Sequence, residues 1–178
     1  MLTSVRSTAF AVASILILML VTPSVRADDV VDNPRYQGWA KFNVGSSATY
    51  TGEVGQGAAK GEVERTYKLA EKADDHVVVE ITTTTTTAGT IKTIPVQKMT
   101  IPAKMPKADV TELAKEEVEA AGKKYPCTVY ELTNYVPKLK DSKLKAWMND
   151  EIPGGFVKMD VKAETSSMTT TLKSFEAK

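Results

Sequence analysis

The sequence predicts a mainly β (α+β) domain: a single curved antiparallel sheet or half-barrel of about seven to nine strands, packed on one or two helices, after a cleaved signal peptide. Three observations predict it. Apolar and polar side chains alternate over several long runs, the pattern of half-buried strands. The runs follow one another through short Gly-, Asp- and Ser-bearing turns, so neighbouring strands should be antiparallel. The first 27 residues have the layout of an export signal.

That signal reads in order. Arg6 supplies a positive start, Phe10 to Val21 is apolar, Pro23 and Ser24 break the run, and Val25-Arg26-Ala27 offers a cleavage site. The apolar stretch is about 12 residues, short of the roughly 20 a spanning helix needs. A lipid anchor would need a cysteine at the cleavage point, and none is there. The expected organisation is therefore 1–27 signal peptide, 28–35 flexible leader and 36–178 one antiparallel β-rich domain, exported to a periplasm or to the outside.

After cleavage 151 residues remain, with a net charge of −1. Such a balance gives no long-range attraction to nucleic acid or to anionic lipid. The single cysteine, Cys127, cannot close an internal disulfide, so stability must come from packing. Cys127 itself reads as a small buried hydrophobe on a strand.

The elements follow along the chain. Tyr36, Trp39, Phe42 and Val44 are spaced for a turn of helix around Trp39 and Phe42. Ala48 to Val54 suits a first strand, and the glycines between Gly52 and Gly61 suit a loop. Glu62 to Lys72 places Val63, Tyr67 and Leu69 on one face. After the Ala73-Asp74-Asp75 turn, His76 to Thr87 places Val77, Val79 and Ile81 on one face, which completes a β-hairpin. The threonine run from Thr82 to Thr87 suits a strand, because a branched Cβ fits a pleated surface. Ala88-Gly89 turns the chain, and Thr90 to Ile101 returns as a third strand. Pro95 within it requires an edge position or a bulge, since proline cannot donate to a ladder.

Pro102 and Pro106 then mark a break. Asp109 followed by Glu112 resembles a helix cap, with Val110, Leu113, Ala114 and Val118 at helical spacing, so a helix is expected over 109–116. Residues 117–121 stay open between helix and a short strand that would pair with Tyr125 to Thr133 across Gly122. Tyr125 to Thr133 carries apolar residues on both faces, as a buried central strand does. Leu144 to Met148 and Val157 to Ala163 alternate around the Ile152-Pro153-Gly154-Gly155 turn. Thr165-Ser166-Ser167 turns the chain, and Met168 to Phe175 closes the sheet.

No catalytic constellation is legible. His76, the one histidine, reads as an exposed turn residue beside Asp74 and Asp75. One histidine and one cysteine cannot furnish a zinc shell. Asp74-Asp75 and Asp150-Glu151 read as solvated turn charges. Gly57 to Gly61 lacks the order of a phosphate loop. No cofactor is expected, and an enzyme is the reading the inventory supports least.

Two segments carry a resemblance. They are Leu144-Lys-Ala-Trp147-Met-Asn-Asp-Glu151-Ile-Pro153-Gly-Gly155-Phe-Val-Lys-Met159 and Gly122-Lys-Lys-Tyr-Pro-Cys127-Thr-Val-Tyr-Glu131. The first resembles a segment of exported bacterial proteins of unknown function. With the second, the order of elements over roughly 36–176 resembles the periplasmic lipoprotein-carrier type of fold. That resemblance implies a curved antiparallel sheet that wraps helices and can hold an acyl chain.

The expected function is a non-enzymatic binding module. Its concave face would hold an apolar or amphipathic ligand against Trp39, Tyr67, Leu69, Val79, Trp147, Val157 and Met159. The alternative is a structural or interaction protein of the cell envelope, acting through an exposed sheet edge or the threonine-rich strand. The expected partners are an apolar small molecule or lipid, or an envelope protein. Nucleic acid is not expected, nor a membrane span once the signal is removed.

Overall fold

Strands that alternate apolar and polar side chains must bury one face, and this chain does so by rolling one long sheet. The structure, a computed structural model, describes residues 29–56, 59–133, 142–164 and 166–178. The expected signal peptide, with its cleavage after Ala27, lies outside the described residues.

The elements run β1 (Val30–Asp32), α1 (Pro34–Ala40), β2 (Ser47–Gln56), β3 (Ala59–Lys72), β4 (His76–Thr87), β5 (Thr90–Pro102) and β6 (Lys104–Pro106). A 3-10 turn at Lys107–Asp109 leads into β7 (Val110–Ala120), β8 (Lys123–Thr133), β9 (Lys143–Met148), β10 (Phe156–Ala163) and β11 (Ser166–Glu176). Nine strands form one open antiparallel sheet in the order β5-β4-β3-β2-β11-β10-β9-β8-β7, and β1 pairs with β6 in a small second sheet. The large sheet is two meanders, β2–β5 and β7–β11, joined where β2 pairs with β11. Among the described residues no helix is long and apolar enough to cross a membrane.

The strand register explains the core. Leu69 faces Val79, Tyr67 sits between Ala48 and Ile81, Tyr50 faces Leu172, and Met159 faces Ala146. These residues share the inner face with Leu144 and Leu132 and form one hydrophobic cluster with Trp39 of α1. Two-residue turns at Ala88-Gly89 and Ala121-Gly122 have positive φ at both positions, the geometry whose twist suits adjacent strands.

Pro95 meets both conditions set for it. β5 is an edge strand, and its register shifts opposite Thr82, where the pairing passes from Ile81–Gln97 to Thr83–Ile94.

Several expectations are corrected. The leader expected to be flexible over 28–35 is built into the fold from Val30 onward. Asn33 is buried there; its side chain accepts a hydrogen bond from Arg35 N at 3.0 Å and donates to Pro102 O at 2.9 Å. Of the loop expected from Gly52 to Gly61, residues 52–56 continue β2 and 59–61 open β3, while 57 and 58 lie outside the described residues; Gly52 and Gly61 mark close backbone approaches within strands. Ser166 and Ser167, expected in a turn, already belong to β11. β8, expected as a central strand, lies one place in from the β7 edge.

The helix expected over 109–116 is strand β7. A bulge at Leu113 is the physical reason for the misleading spacing. The extra residue shifts the alternation by one, so that Val110, Leu113, Ala114 and Val118 imitate a helical period. Asp109 does not cap a helix; its carboxylate accepts a hydrogen bond from the Thr133 hydroxyl at 3.2 Å. Gly122 ends no helix either but completes the β7–β8 turn, in agreement with the rival strand pairing.

The sheet rolls most strongly at this end. β9 pairs with β8 only from Thr128 onward, so the hairpin tip overhangs it. β7 comes within 8 Å of both β10 and β11, Cα to Cα. In a flat sheet, strands three and four places apart would be about 14 and 19 Å away.

Candidate functional site

The seven residues expected to line a ligand space are packed interior. Leu69, Val79, Val157 and Met159 are fully buried, and Trp39, Tyr67 and Trp147 are at most 5% exposed. Trp39 packs against Gly154, and Tyr67 meets Tyr50 edge-on with ring centroids 5.5 Å apart.

Nor do all seven share one face. Met159 pairs with Ala146, whereas Trp147 pairs with Lys158 and points to the opposite side of the sheet. There its indole donates to Glu116 Oε2 at 2.6 Å, and the ammonium groups of Lys145 and Lys158 each lie 4.5 Å from its ring centroid. Trp147 is thus a polar-capped, cation-covered side chain beneath the rolled hairpin.

One cleft has other walls. It measures about 560 Å³ and lies between the β1–α1 segment and the β7–β9 end of the sheet. Val31, Pro34, Val110, Pro126, Tyr130 and Met148 give it apolar surface. Asp32, Gln37, Glu112, Thr128, Asn149 and Asp150 give it polar surface. None of the seven expected residues lines it.

Local structure explains how these side chains converge. Glu112 lies directly across from Tyr130 and Thr128 directly across from Met148, so β7, β8 and β9 present one continuous wall. Asn33 caps α1 and Pro34 opens it, where a missing N–H costs nothing. The pairing of β1 with β6 holds Val31 and Asp32 in the opposite wall. Asn149 fixes the floor: its Nδ2 donates to Pro126 O at 2.8 Å, and its side-chain oxygen accepts from Glu151 N at 2.9 Å.

The charge on the cleft is one-sided. Asp32 is ion-paired with Lys104, and Asp150 with Lys41 at 2.7 Å. Glu112 is in no ion pair among the described residues. The Tyr130 hydroxyl is held above its ordinary range, first by burial and then by the Glu112 and Asp150 carboxylates. Among the described residues no lysine or arginine lines the cleft.

Elsewhere the polar groups read as structural. His76 Nδ1 lies 2.7 Å from Asp75 Oδ1 at the hairpin turn, and that bond lowers the Asp75 carboxyl. Among the described residues no group of three or more His, Cys, Asp or Glu could hold a metal ion. In the threonine run, Thr83 is buried and its neighbours bond across strands, as Thr84 does to Thr93 at 3.5 Å.

Cys127 is buried on β8, and burial, followed by the Glu116 charge, pushes its thiol up to about 11. Only the thiolate is a good nucleophile. Alkylation by iodoacetamide at pH 8 should therefore be about 100-fold slower in the folded than in the unfolded chain. The linkage has a definite sign: the folded thiol keeps its proton to higher pH than the unfolded one, so stability falls as pH rises from about 9 toward 11. Rapid alkylation without unfolding would contradict the buried placement.

Sequence reasoning missed Glu112 because it placed that residue on a helix. Asp150 is the exposed turn charge it expected, though one that also borders the cleft, and Val31 and Asp32 were expected in the leader. The β7–β8 hairpin was the one signal that could have brought Glu112 to Tyr130.

No family model matches the chain, and no curated protein matches it. Solved structures do. The hypothetical protein CT021 from Chlamydia trachomatis aligns with 83% of this chain and 93% of its own, at 5% identity and a TM-score of 0.44. MucB, solved in complex with MucA(peri), aligns with 80% of this chain at 11% identity and a TM-score of 0.42. The chain spans about half the length of MucB, 53% of it.

Proposed function

We propose that this chain is a non-enzymatic, exported binding module that holds a small amphipathic ligand in the cleft between β1–α1 and β7–β9. The observation that carries the reading is the cleft itself: about 560 Å³, with apolar and polar side chains on both of its walls. That volume falls within the range of small-molecule sites. Export rests on the layout of residues 1–27. The acyl-chain carriage implied by the lipoprotein-carrier resemblance is one form of this reading, with the ligand moved from the filled interior to the cleft.

An environment-sensitive apolar dye, titrated into the mature protein, should bind saturably. Thr128→Trp, which fills the cleft, should abolish uptake and leave the far-UV circular dichroism unchanged. Lys68→Trp, at an exposed position away from the cleft, should take up dye normally. A folded wild-type protein that takes up no dye would overturn the reading.

The envelope-interaction reading is supported by the two edge strands. β5 offers Lys92 and Lys98 without an acid, and β7 offers Glu112, Glu116, Glu117 and Glu119 against Lys115. Concentration-dependent self-association on size exclusion, without dye uptake, would favour it.

A further inference from the structure

We propose that the cleft selects a ligand with a cationic head and an apolar body, the cation seated between Glu112 and Tyr130. This rests on the cleft being a binding site, as proposed above.

The apolar body has a defined place. Val31 and Pro34 face it from the β1–α1 side, and Val110, Pro126 and Met148 from the sheet. The head follows from charge complementarity. Carboxylates reach the lining from three separate segments, as Asp32, Glu112 and Asp150, and among the described residues no basic residue reaches it. Two of the three are already neutralised, Asp32 by Lys104 and Asp150 by Lys41. Glu112 is left as the lining carboxylate without an ion pair among the described residues.

Its position adds a second attraction. Glu112 stands directly across the β7–β8 ladder from Tyr130, whose ring forms part of the apolar wall. An ammonium group there would meet a carboxylate and an aromatic ring together, and each favours a cation. The Tyr130 hydroxyl is held above its ordinary range first by burial and only then by the Glu112 and Asp150 charges. An anionic head would meet the Glu112 carboxylate, with no lysine or arginine in the lining among the described residues.

The test is displacement of the bound dye by three ligands that share a ten-carbon tail: decyltrimethylammonium, decyl maltoside and decanoate, each below its micelle concentration. The cationic ligand should compete at about tenfold lower concentration than the neutral one. Decanoate should compete least. Glu112→Gln should bring the cationic and neutral ligands to within about twofold, each displacement being read against that variant's own dye affinity. Raising the salt on the wild-type protein should shrink the same preference, a check that needs no variant.

Equal displacement by all three, or a preference for decanoate, would overturn the inference and leave the cleft as a site. A preference that survives both Glu112→Gln and high salt would also overturn it. Failure of the folded protein to take up dye at all would overturn the binding-module reading and this inference with it.

Discussion

Gly52→Ala should be among the most damaging single changes in this protein, lowering stability by about 3 kcal/mol or more. Gly52 pairs with Thr170 on β11. A Cβ there would overlap the Thr169 carbonyl oxygen and lie 2.8 Å from both Thr169 C and Thr170 Cα. All three atoms are backbone, so no side chain can swing away to make room. Relief requires β2 and β11 to move apart, and their pairing is what joins the two meanders. Thr170 is fully buried, which leaves no solvent side toward which to yield.

Gly89→Ala is the control. Nothing lies within 4 Å of a Cβ at Gly89, but its φ of +78 is strained for alanine. The cost there should be about 1 kcal/mol. Thermal and denaturant unfolding of both variants measures the difference. Should Gly52→Ala prove as mild as Gly89→Ala, the close β2–β11 approach would be refuted.

The same seam shows where the fold was legible. Strands that alternate around a short acidic turn, such as Val63 to Leu69 and Val77 to Ile81, declare themselves because burial on one face selects every second residue. Pro95 announced an edge and a bulge because a missing N–H has few places to go. Glycines within strands mislead, since Gly52 and Gly61 look like loop residues and act as points of close contact. β7 was illegible for a related reason. As a mostly exposed edge strand it buries little, so its sequence is not held to a period of two, and the Leu113 bulge adds a false helical rhythm.

The candidate site was less legible than the fold. Large apolar side chains on strands are strong evidence for burial, and Tyr67, Leu69, Val79, Val157 and Met159 are all buried. Burial alone does not separate residues that fill a core from residues that line a space. The cleft also depends on a pairing far apart in the chain, Val31 with Met105, which no local pattern gives. Asp150 is the exposed turn charge expected of it, and its place on the cleft border depends on residues from the other end of the domain.

Trp39→Ala should cost about 3 to 5 kcal/mol and should also remove dye uptake, which ties the core to the cleft. Trp39 is 2% exposed and sits where α1 crosses the Ile152–Gly155 turn. A Cβ on Gly154 would lie 2.7 Å from the indole ring, and a Cβ on Gly38 would lie 2.7 Å from the Gly154 backbone. The helix and the turn are thus in direct contact, sealed by a bond from Gly154 N to Gly38 O at 3.0 Å. α1 has only seven residues, too few to be helical without such packing. It also carries Pro34 and Gln37 into the cleft wall. Loss of the indole should therefore loosen that wall before the sheet itself melts. Trp39→Phe, which keeps an aromatic ring against Gly154, should lose less than half as much stability and retain uptake. Dye binding with unchanged affinity in a folded Trp39→Ala protein would show that the cleft does not depend on α1, and the ligand site would have to be sought on the β7–β9 wall alone.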